Sequence, residues 1–94
     1  PHLKEGMEVW TAGLVIRRQR PQGKAIFITL EDEFGHIPLI VWPAVYAQYR
    51  LILREPVLLV RATVSRREGT LNLVVQHAEH LAGIKHTPKA MNFR

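Results

Sequence analysis

Cysteine is absent from these 94 residues, serine occurs once (Ser65) and aspartate once (Asp32). The missing thiols exclude disulfides and thiolate metal sites. So small a stock of serine and aspartate leaves no material for a Ser-His-Asp hydrolytic centre beyond one copy of each. No apolar run approaches the ~18 residues of a membrane-spanning helix. The N-terminal stretch Pro1-His2-Leu3-Lys4-Glu5 lacks the apolar core of a signal peptide. Glycine-rich phosphate loops, internal repeats and low-complexity tracts are missing as well. The expectation is a cytoplasmic domain with no catalytic residues, no metal, no cofactor and no membrane contact. A chain that starts at Pro1 rather than methionine reads as part of something longer.

What is present is apolar and basic. Hydrophobic residues make up 47% of the chain, enough for one small core. Thirteen Lys+Arg stand against eight Asp+Glu, a balance that favours polyanionic partners through counterion release. Short apolar runs recur at roughly ten-residue spacing between turn residues, the pattern of a β-barrel or sandwich. Strands are expected at residues 9–18, 25–32, 36–42, 57–66 and 71–80. Pro21 and Gly23 break the first run, Glu33-Phe34-Gly35 closes the second, and Arg67-Glu68-Gly69-Thr70 forms a hairpin turn. Residues 43–50 differ: Pro43 suits a first helical position, and Val45, Tyr46 and Tyr49 follow helical spacing. Five strands with one short helix between the third and fourth is the element order of the OB-fold, a five-stranded Greek-key barrel. The expected domain covers residues 1–81, with a loosely ordered tail at 82–94.

Strand periodicity separates the two faces. Ile26, Ile28 and Leu30 point to the core in the second strand, Ile37, Leu39 and Val41 in the third, and Leu58, Val60, Ala62 and Val64 in the fourth. Phe27, Thr29 and Glu31 then share the outer face, where Phe27 either stacks a nucleic-acid base or packs beneath a loop. Trp42 either stacks a base or packs at the helix start. Arg61 either reaches a phosphate or pairs with Glu31 or Glu79. Arg17, Arg18, Arg20 and Lys24 crowd the first loop, and Arg66 and Arg67 sit at the last hairpin. In OB-folds these two loops flank the binding groove, so all six are candidate phosphate contacts. The run Glu31-Asp32-Glu33 reads as a turn rather than a metal cluster. His77 and His80 stand three apart on a strand and face opposite sides, and His86 lies in the tail, which disfavours a histidine metal site.

The spacing Val9-x-x-x-Gly13-x-Val15-x-Arg17-Arg18, followed by FITLED-x-x-G over residues 27–35, resembles the anticodon-binding OB superfamily of class II synthetases and bacterial replicative polymerases. Stretches 12–21 (AGLVIRRQRP), 27–33 (FITLEDE) and 41–43 (VWP), with the closing NFR at 92–94, are similar to the C-terminal region of the bacterial error-prone DNA polymerases, relatives of the polymerase III α subunit. The resemblance covers residues 6–82 and implies a single-stranded DNA-binding OB domain, with polymerisation carried out by other domains of the parent chain. It also implies that Phe27 stacks a base and Arg17 approaches the backbone. At Pro38 relatives usually carry Asn or Gln, which can read a base edge; proline cannot, and it removes a ladder donor. Sequence-tolerant binding of single-stranded DNA, or RNA, is therefore expected. Two alternatives stay open: a tRNA anticodon-binding module, and a protein-interaction domain that docks through Pro38, Ile40, Trp42 and the tail.

Overall fold

The computed structural model describes residues 3–67 and 69–81 of the chain, without the side chains of Gln22 and Arg67. The expectations for the tail, for His86 and for the Arg67 side chain lie outside the described residues. Five strands form a closed barrel: β1 (Glu8–Gln19), β2 (Ile26–Asp32), β3 (Gly35–Val41), β4 (Val57–Arg67) and β5 (Thr70–His80), in the order β1-β2-β3-β5-β4. One helix, α1 (Pro43–Tyr49), lies between β3 and β4, as the sequence pattern requires of an OB-fold. Two 3-10 turns were not anticipated: η1 (Pro21–Gly23) in the β1–β2 loop and η2 (Ile52–Arg54) after the helix.

β1 belongs to both halves of the barrel. Residues 8–14 pair with β4, and from Leu14 onward the strand pairs with β2. The crossover brings the backbones close at Gly13, where an added Cβ would lie 2.8 Å from the Glu31 carbonyl oxygen. Only glycine fits there without displacing β2. Between Val15 and Arg17 the β1–β2 register shifts by one residue. Such a bulge reverses which residues face outward beyond it.

The core is built from the alternation that the strands display. Ile28, Leu30, Leu39, Val41, Leu58, Val60, Val64 and Val75 are buried, and every strand residue expected inside is buried or packed against the cluster. One further plug was unforeseen. Leu53 of η2 is 1% exposed and closes the barrel end beneath α1. Val45, Tyr46 and Tyr49 of α1 cover the same end from outside. The seam between β3 and β5 is the shortest, a parallel ladder of two pairs, Leu39↔Leu73 and Ile40↔Val74.

The β2–β3 turn is held by the one aspartate. Asp32 Oδ1 accepts hydrogen bonds from the backbone N–H groups of Phe34 (2.8 Å) and Gly35 (3.1 Å). Gly35 has φ 133°, a conformation that side chains disfavour. The acidic run thus ends β2 with Glu31 and Asp32 and enters the turn at Glu33. Trp42 leaves β3 and becomes the residue preceding α1, half exposed at 50%.

Candidate nucleic-acid interface

Cross-strand partners share a face, so the register defines the outer surface of β1, β2 and β3 row by row. One row runs Gln19–Phe27–Ile40–Val74, the next Arg17–Thr29–Pro38, and the third Leu14–Glu31–His36. Intervening rows, such as Arg18–Ile28–Leu39, turn toward the barrel interior and its ends. Phe27 keeps 40% of its surface exposed, flanked by Gln19 and Ile40. The β1 bulge sets Arg17 outward beside Thr29; a strand without it would turn Arg17 to the side of Gly13 and Val15. Pro38 stands next to Thr29 and presents no hydrogen-bonding side chain to this face.

The basic side chains divide into several groups. Arg17 and Lys24 are exposed and make no side-chain hydrogen bond or ion pair to the described residues. Arg18 is fixed: Nε and Nη2 donate to the Leu53 carbonyl at 3.2 and 3.0 Å, and Nη2 also donates to the Glu55 carbonyl at 2.8 Å. Arg20 lies over the Tyr46 ring, 5.2 Å from its centroid. Arg54 joins Arg18 and Arg20 around a cleft of about 160 Å³, whose other walls include Tyr46, Leu53, Ile26 and Ile28. No carboxylate among the described residues lines it. Arg54 was missed in the sequence because residues 51–56 read only as the connection after the helix.

The other two candidate positions are engaged elsewhere. Arg61 pairs with neither Glu31 nor Glu79. Its Nη1 meets Glu8 Oε2 at 3.0 Å, and its row is Trp10–Arg61–His77 on the β1–β4–β5 surface, outside the Phe27 rows. Arg66 faces the segment preceding β1: its backbone N–H donates to Glu5 Oε1 at 2.6 Å and its Nε to the Leu3 carbonyl at 3.1 Å. Glu31 places a carboxylate in the third row of the outer face, 3.8 Å from His36. Glu79 instead lies 2.9 Å from His77 Nε2, while His77 Nδ1 is 2.9 Å from the Tyr49 hydroxyl. His80 pairs across from Leu58, on the face opposite His77.

A closed five-stranded barrel of this order, with an aromatic and an arginine presented on the outer rows of β1–β3, defines the OB-fold class of nucleic-acid-binding domain. The family model of the OB-fold nucleic acid binding domain matches residues 9–81, and the chain belongs to that family. The error-prone DNA polymerase of Methylococcus capsulatus is 45% identical over 82 residues, covering 84% of this chain. The match spans 8% of that relative's length. Among solved structures, a replication protein A heterotrimer bound to ssDNA superposes with a TM-score of 0.66 at 15% identity, over 86% of this chain and 62% of that one. The asparaginyl-tRNA synthetase of Pyrococcus horikoshii gives 0.65 at 23% identity, over 92% and 23%. At those identities the two structures support the fold alone. No helix among the described residues is long and apolar enough to cross a membrane.

Proposed function

We propose that this domain binds single-stranded DNA without reading its sequence, as the template-holding module of an error-prone, translesion DNA polymerase. In this role it acts in the cytoplasm, in replication past damage and in repair, while other domains of the parent chain supply the chemistry. The observation that carries the proposal is the pair of outer rows that sets half-exposed Phe27 next to bulge-directed Arg17 and Thr29. A base has a π-face whatever its identity, so stacking on Phe27 is sequence-tolerant. Arg17 and the neighbouring arginines suit the phosphates on either side of that base. Pro38 favours such blind binding, because it offers no amide to a base edge.

Titration of the 94-residue chain with fluorescently labelled oligonucleotides tests the proposal. Loss of a stacked base is worth about 1–3 kcal/mol, so Phe27→Ala should weaken binding by about 5- to 150-fold at the tenfold-per-1.4 kcal/mol conversion. Equal affinity of parent and variant would remove Phe27 from the interface. Preference for one RNA trinucleotide would favour the anticodon-binding alternative. Salt-insensitive or absent binding would favour protein docking through Ile40 and Trp42.

A further inference from the structure

We infer that the cleft between the β1–β2 loop and η2 is a phosphate subsite, formed by Arg18, Arg20 and Arg54, that takes the strand leaving the Phe27 row. The inference rests on the proposed binding of single-stranded DNA and adds a location to it. Gln19 is the link: it pairs with Phe27 on the outer face and also lines the cleft. A strand stacked on Phe27 therefore has this cleft beside it.

The three guanidinium groups are differently prepared. Arg18 is anchored through Nε and Nη2 to the Leu53 and Glu55 carbonyls, so Nη1 is held in place and makes no hydrogen bond to the described residues. Pre-orientation of this kind lowers the ordering cost of binding. Arg20 lies over the Tyr46 ring and makes no side-chain hydrogen bond or ion pair to the described residues. Arg54 makes no side-chain hydrogen bond or ion pair to the described residues. Ile26, Ile28 and Leu53 supply apolar walls, and the attraction between opposite charges strengthens where water is displaced. At about 160 Å³ the cleft is smaller than the roughly 300 Å³ at which pockets for whole ligands begin. It suits a phosphate group rather than an entire nucleotide.

The decisive measurement is the salt dependence of oligonucleotide binding to the 94-residue chain. Each phosphate contact contributes a slope of about 0.7 in log K against log salt for single strands. Arg54→Ala should lower the slope by about that amount, whereas Lys4→Ala, which removes the same charge at the opposite end of the barrel, should leave it unchanged. Equal slopes for the two variants would overturn the inference. Oligonucleotides with and without a terminal phosphate identify the source. A difference in affinity that disappears in Arg54→Ala assigns the cleft to a strand end; no difference, with the slope still reduced, assigns it to an internal phosphodiester. Failure of the wider proposal has another signature, namely that the parent binds no oligonucleotide. The cleft is then judged by titrating inorganic phosphate against amide NMR spectra. Shifts centred on Arg18, Arg20 and Arg54 would keep the anion site, and their absence would end it.

Discussion

The two ends of the barrel look alike in the sequence and differ in space. Each has a loop with adjacent arginines: Arg17, Arg18 and Arg20 at one end, Arg66 and Arg67 at the other. At the first end Arg18, Arg20 and Arg54 surround a cleft lined by no carboxylate of the described residues, with Lys24 and Arg50 exposed. At the second, the Leu3 carbonyl accepts from the Arg66 guanidinium and Glu5 accepts from its backbone N–H, and the register runs the β2–β3 turn toward the same end. A count of basic residues weighs the loops equally. Their neighbours do not: at the first end three guanidinium groups line one cleft, while at the second the Arg66 guanidinium is taken up by the Leu3 carbonyl. The potential offered to a phosphate is the sum over all charges around the site, not the count of basic residues in one loop.

The contrast can be broken at several points. The largest expected effect is structural. Leu53→Ala empties the plug under α1, and truncation of a buried leucine costs about 2–5 kcal/mol. Denaturant unfolding should show that loss, and the carbonyl that anchors Arg18 should shift with it. Next come the two ends directly: Arg20→Ala should weaken oligonucleotide binding and reduce its salt slope by about 0.7, whereas Arg66→Ala should change the slope by much less. Equal effects would abolish the distinction between the loops. The smallest effect belongs to Asp32→Ala. Losing two turn hydrogen bonds at an exposed site should lower stability by about 1 kcal/mol, visible in thermal unfolding, with oligonucleotide affinity maintained.

Most of the barrel was legible because its determinants are local. Alternation placed Leu58, Val60, Ala62 and Val64 inside, and all four are fully buried. Pro43 and the spacing of Val45, Tyr46 and Tyr49 located the helix. The surface was less legible, since its side chains answer to distant partners. Arg18 is tied to Leu53 across 35 positions, Arg61 to Glu8 across 53, and Arg66 to Glu5 across 61. The one-residue bulge after Val15 leaves no mark in composition, yet it decides that Arg17 shares a face with Thr29. Leu53 was hidden for a related reason: a single leucine after a short helix has no period to reveal it.

On the proposed path, single-stranded DNA lies over the Phe27 and Arg17 rows and exits toward the arginine cleft. Amide NMR spectra of the 94-residue chain, titrated with a short unstructured DNA oligonucleotide, test it most directly. Shifts are expected at residues 17–20, 27–29, 39–40 and 53–54, with little change at Glu8, Arg61 and Arg66. Shifts concentrated around Arg66 and the β4–β5 hairpin, or on the Trp10–Arg61–His77 row, would contradict it.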